Sequence, residues 1–190
     1  MALQYTNRRG QTYFLHQGTT KTGKPKYYFS LKTEGNLIES IPEGFEIYEN
    51  PNAQVYLRKI QPKVFSDREL EAVDQGIKKY SKIKNFILDV KDNSIIIHLP
   101  EQNVGNISEI LTASGRKDTL LNDLESLLTY NPMMRFLRKK DSKSVRVQRW
   151  CFRGSVDDWI DLDEGEDLER LVKKYAPHLG QESFYDLYGF

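Results

Sequence analysis

The chain has 190 residues, 28 of them basic and 27 acidic, with 38% hydrophobic and 12% aromatic residues. This length and aromatic content suit one ordinary domain or two small ones with a real core, and they exclude a disordered chain. No apolar run is long enough to span a bilayer, Met1–Gly10 lacks the apolar stretch of a secretory leader, and one Cys excludes a disulfide framework or a Cys-based zinc site, so a soluble, cytoplasmic protein is expected.

The N-terminal third reads as β. Gln11–His16 and Lys26–Leu31 flank a Gly-, Thr- and Lys-rich stretch, Gln17–Pro25, which predicts a hairpin with a long, flexible tip. Alternation puts Tyr13, Leu15, Tyr27, Phe29 and Leu31 on one face, and Phe14, His16, Lys26, Tyr28 and Ser30 on the other. Short strands are expected at Asn36–Glu39, Glu46–Tyr48 and Gln54–Ile60, parted by the turn signals Pro42-Glu43-Gly44 and Asn50-Pro51-Asn52.

A helix opens at Ser66, where Ser66 and Glu69 have capping-box spacing and Phe65 and Leu70 fit a hydrophobic staple. Leu70, Val73, Ile77 and Tyr80 continue it, and Lys78, Lys79 and Lys82 suit its C-terminal dipole. A hairpin, Phe86–Val90 and Ser94–Leu99, follows; Ile95-Ile96-Ile97 reads as a strand covered on both faces. Helices are predicted from about Ile107 to Ala113 and from Asp118 through Leu128, with Asn131-Pro132 ending the second. Met134–Lys139, Val145–Phe152 and Asp158–Leu162 then form a meander, and a last helix runs through Leu168, Leu171, Val172 and Tyr175 before a short Phe184–Tyr188 element. The order predicts an α+β fold with antiparallel pairing. It divides into a β-rich N-terminal unit, 1–62, and a mixed α+β unit with hairpins and a C-terminal helix, 63–190; one continuous domain is the alternative.

The net charge of +1 conceals strong segregation. Residues 1–33 hold Arg8, Arg9, Lys21, Lys24, Lys26 and Lys32 and no acid, whereas 34–57 hold five glutamates and no base. Residues 135–153 carry Arg135, Arg138, Lys139, Lys140, Lys143, Arg146, Arg149 and Arg153 against Asp141 alone, and 154–190 carry ten acids against three bases. Local basic density, not net charge, governs phosphate binding, and two segments have it. The competing account is that each basic block pairs with the acidic block after it, closing self-neutralised hairpins.

Gly18–Lys24 matches the first seven positions of a Walker A loop, but Pro25 replaces the Ser or Thr that would hold Mg²⁺, and a strand follows instead of a helix. ATP binding is therefore not expected there. The same hairpin offers Lys21, Lys24 and Lys26 for phosphates beside Phe14, His16 and Tyr28 for bases. In Val145–Phe152, alternation sets Val145, Val147, Arg149 and Cys151 opposite Arg146, Gln148, Trp150 and Phe152, so an Arg- and Trp-bearing face could serve as a stacking platform. Arg149 among apolar neighbours would call for an acidic partner such as Asp161. The Asp157–Asp167 stretch fails the calcium-loop pattern and suits a helix N-terminus better. His16, His98 and His178 lie in no ligand spacing, and Cys151 has no histidine near it in sequence.

These features favour a non-catalytic nucleic-acid-binding protein, with DNA and RNA both open. Phosphate contact is assigned to Arg8, Arg9, Lys21, Lys24, Lys26, Arg135, Arg138, Lys139, Lys140, Lys143, Arg146 and Arg153, and stacking to Tyr28 or Trp150. No cofactor, metal or membrane partner is expected. One alternative is a protein–protein adaptor or accessory subunit whose charged blocks meet a partner or a second copy of itself. A weaker one is a Mg²⁺-dependent nuclease using Asp161 or Asp163.

Overall fold

A computed structural model describes residues 2–101, 128–139, 141–153 and 156–188. Two compact units divide them: 2–60 with 128–129, and 61–101 with 130–188. The chain is α+β, with an antiparallel β-rich N-terminal region followed by a helix-containing region that ends in a C-terminal helix.

The first unit is built from hairpins. β1 (Gln4–Thr6), β2 (Thr12–Thr19) and β3 (Pro25–Ser30) form an antiparallel sheet in that order, and β4 (Phe45–Glu49) pairs with β5 (Val55–Lys59). Three turns share one design. In Asn7–Gln11, Thr20–Lys24 and Asn50–Gln54 the first residue's carbonyl accepts from the fourth residue's N–H at 2.9 Å, and first and fifth residues remain paired. Such a turn ends on a left-handed residue, and here Gly10, Gly23 and Ala53 take φ of 74°, 77° and 62°. Asn7 and Asn50 each accept two downstream backbone N–H groups on their side-chain oxygen, which fixes the local bend.

β2 and β3 pair with Leu15 opposite Phe29, His16 opposite Tyr28 and Gly18 opposite Lys26, so the predicted faces hold. The tip differs from expectation. Pairing continues to Thr19 and Pro25, and the connection is the tight Thr20–Lys24 turn instead of a long flexible loop. Residues 36–39 form no strand: after Gly35 (φ 115°), only Asn36, Leu37 and Ile38 meet β2, through one isolated bridge and two backbone bonds. β1 lies within Met1–Gly10, where the sequence predicts no strand.

The second unit has a five-stranded antiparallel sheet in the order β10-β9-β8-β7-β6, made of β6 (Ile87–Lys91), β7 (Ser94–Pro100), β8 (Tyr130–Arg138), β9 (Val145–Arg153) and β10 (Val156–Gly165). α1 (Asp67–Tyr80) and α2 (Leu168–Tyr175) pack on one face of it. The core joins Val73 and Ile77 of α1 and Leu171 and Val172 of α2 to Ile95, Ile97, Met134, Phe136, Val145 and Val147 of the sheet. The capping box is complete, with Ser66 N–H donating to Glu69 at 2.8 Å and Ser66 Oγ accepting from Glu69 N–H.

β8 begins at Tyr130, four residues before the predicted start, and Asn131-Pro132 lie inside it. A register shift between Ile97 and His98 accommodates the proline, which lacks a ladder N–H. A second bulge between Asp161 and Asp163 buries Leu162. The helices predicted over 107–113 and 118–128 lie almost wholly outside the described residues. Among those described, no helix is long and apolar enough to cross a membrane.

Candidate nucleic-acid interface

Parity and cross-strand pairing decide which cations stay open. In the second unit the helices cover the face bearing Val145, Val147 and Arg149. The other face carries Arg135, Arg146, Gln148, Trp150, Phe152, Trp159 and Asp161, set side by side by the pairs Arg135–Gln148, Gln148–Asp161, Trp150–Trp159 and Arg146–Glu164. Trp150 meets Trp159 edge-on (centroids 5.1 Å apart, 77°) and Phe152 likewise (6.3 Å, 70°). Arg146 thus shares a face with Trp150 and Phe152, as alternation predicts, but the arginine that covers an aromatic ring on this face is Arg135, over Trp159.

The arginines on it are largely occupied. Arg135 donates to Gln148 Oε1 at 2.5 Å and stacks on Trp159, 4.3 Å from the ring centroid. Burial lowers its pKa, a trend opposed by Asp158 and Asp161. Gln148 passes the contact on to Asp161 at 2.6 Å. Because the bulge at Leu162 places Asp161 and Glu164 on one face, Arg146 lies between them, 3.5 Å from the first and 3.2 Å from the second. Arg138 points to the helix side, where it pairs with Glu69 at 2.6 Å, donates to the Val64 carbonyl and covers the Phe65 ring.

Arg149 is buried on the core face. Its partner is not Asp161, which serves the opposite face, but the Leu187 carbonyl at 2.6 Å, with Tyr188 beside the guanidinium. Lys139 and Lys143 are exposed. Lys140 and the Arg153 side chain lie outside the described residues. The carboxylates of the nuclease reading are also engaged. Asp163 accepts from Lys174 at 2.7 Å and Tyr175 at 3.1 Å, and no three metal-capable side chains cluster among the described residues.

The N-terminal block divides differently. Arg8 pairs with Glu49 at 3.3 Å and donates to the Asn50 and Pro51 carbonyls, and Arg9 reaches the Leu128 carbonyl at 2.7 Å. Both hold the first unit together. Lys21, Lys24 and Lys26 instead stand exposed at the end of the β2–β3 hairpin, with no ionic partner among the described residues. Tyr28 is 43% exposed on the same face as Lys26. His16, expected in the open, is 3% exposed: its ring lies under Tyr28 (5.3 Å, 10°) and its Nε2 is 3.0 Å from the Lys32 carbonyl. Phe14 is half-buried.

One aromatic–cation group escaped the sequence reading. Across β4–β5, Tyr48 pairs with Tyr56 and Glu46 with Arg58, whose guanidinium covers Tyr48 at 4.1 Å. The alternation of these residues about the Asn50 turn was the signal. No family model, curated protein or solved structure matches the chain.

Proposed function

We propose that this chain is a nucleic-acid-binding protein without catalysis of its own, making contact through the end of the β2–β3 hairpin. One observation carries the reading: Lys21, Lys24 and Lys26 cluster on a tight hairpin end with exposed Tyr28 beside them, and no described carboxylate neutralises them. Lysine ammonium groups so placed lose little on meeting phosphate, because no internal ion pair must first break. Arg138 and Arg146 are already ion-paired to Glu69, Asp161 and Glu164, and Arg135 lies against Gln148 and Trp159, so these three contribute less. The contact thus contracts from two surfaces to one.

Binding of a labelled oligonucleotide to the full chain across a salt series tests this. Three lysine–phosphate contacts predict a slope of log affinity against log salt of about −2 for a single strand and about −2.7 for a duplex. Replacing Lys21, Lys24 and Lys26 together with Gln flattens the slope, whereas Lys78→Gln, which removes a cation paired to Asp74 on α1, leaves it unchanged. Salt-independent affinity, or none, rejects the proposal.

A protein–protein adaptor or accessory subunit is the second reading, and the β9–β10 face favours it: Phe152 is 50% exposed beside Trp150, while Arg146 on the same face is closed by Asp161 and Glu164. Sedimentation of the purified chain separates the two. A stable homodimer free of nucleic acid supports the adaptor; a monomer that carries nucleic acid supports the first reading.

A further inference from the structure

We infer that the strand taken up by this hairpin is unpaired, with a nucleobase stacked on the free face of Tyr28 and its neighbouring phosphates on Lys26 and Lys24. The inference rests on the nucleic-acid reading above and specifies its substrate class.

The Tyr28 ring is prepared for stacking from beneath. It lies nearly parallel to the His16 imidazole, which is itself buried and held near the Lys32 carbonyl. The ring also lies over Gly18 on β2, where a Cβ would sit 3.5 Å from Tyr28 Cε1, an ordinary van der Waals contact. One face of the phenol is thus covered by His16, and the residue keeps 43% of its surface open to solvent. A ring held this way offers a π-face to a base. A duplex presents base edges and phosphates but keeps its base faces stacked inside, so only an unpaired base can use that surface without being flipped out.

Lys26 and Lys24 follow Tyr28 at alternate positions, so strand parity puts all three on one face in steps of about 7 Å. The pairing of Thr20 with Lys24 (N–H to carbonyl, 2.8 Å) extends that geometry past the end of β3. A single row of an aromatic followed by two ammonium groups suits one phosphodiester backbone, with the base on the ring and the phosphates along the row. RNA and DNA share this chemistry.

The experiment compares labelled oligothymidylate, oligouridylate and a blunt duplex of equal length on the full chain. Single strands are expected to bind more tightly than the duplex. Tyr28→Leu, which keeps an apolar cover over Gly18 but removes the π-face, is expected to weaken single-strand affinity roughly ten- to a hundredfold, with Tyr28→Phe close to the parent. The ratio of the two homopolymers assigns DNA or RNA. Equal or tighter duplex binding that is indifferent to Tyr28→Leu yet lost on replacing the lysines overturns this inference and leaves the proposed function standing. Failure to bind any of the three overturns both.

Discussion

Glu69 takes part in two contacts: it closes the capping box with Ser66 and receives the Arg138 guanidinium. The Arg138 hydrogen bond, aided by those from Ser66 and opposed by burial, lowers its pKa from 4.5 to about 2. A carboxylate depressed on folding stabilises the native state above its unfolded pKa, and this contribution fades as pH falls from 4.5 toward 2. Glu69→Gln retains an acceptor for Ser66 but removes the charge, so urea unfolding at neutral pH is expected to show a loss of about 2 kcal/mol that shrinks in acid. His98 acts in a higher window. Burial lowers its pKa from 6.5, against the opposing Asp89 carboxylate 3.9 Å away. Its sign is the same, since the unfolded chain takes up the proton first and stability falls below pH 6.5. An NMR titration of native protein is expected to place the His98 midpoint below that value.

At the level of elements, two glycines separate steric from conformational cost. Gly76 lets α1 approach α2 closely, and a Cβ there would lie 2.5 Å from Val172 Cγ1. Gly76→Ala therefore forces the helices apart or displaces Val172, costing about 1–3 kcal/mol in thermal or urea unfolding. Gly23 meets nothing within 4 Å but sits at φ 77° in the hairpin turn. Gly23→Ala carries only the left-handed backbone penalty, about 1 kcal/mol, and the loss is local to β2–β3 by hydrogen exchange. Elements with strong local signals were legible: the Ser66 box, the leucine–valine stripe of α2 and the face parity of β2, β3 and β9. β1 was not, because three residues carry no period and its pairing depends on the Asn7–Gln11 turn. Pro132 misled for a related reason, as a bulge set by the neighbouring strand admits a proline that local rules would use as a stop.

Across the whole molecule, charge segregated along the chain is only partly segregated in space. Arg146 meets Asp161 and Glu164 of the block that follows it, and Arg8 meets Glu49 of the block that follows its own. Self-neutralisation thus describes part of each basic segment, while Lys21, Lys24 and Lys26 have no ionic partner among the described residues. The candidate site was legible as composition but not as geometry, because counting charges cannot show which arginine a bulge such as that at Leu162 brings between two acids. The same strand has a consequence for solubility. β10 is the longest strand described, ends its sheet with one neighbour only, and carries Asp157, Asp158, Asp161 and Asp163. Asp161 and Asp163 are engaged with neighbouring side chains, but Asp157 and Asp158 are exposed, and among the described residues no strand pairs with the outer rim; their like charges deter another chain from adding to it, a protection that fails once they are protonated. Prolonged incubation near pH 3 should then yield thioflavin-positive fibrils, and replacing Asp157 and Asp158 with Asn should bring the same fate closer to neutrality.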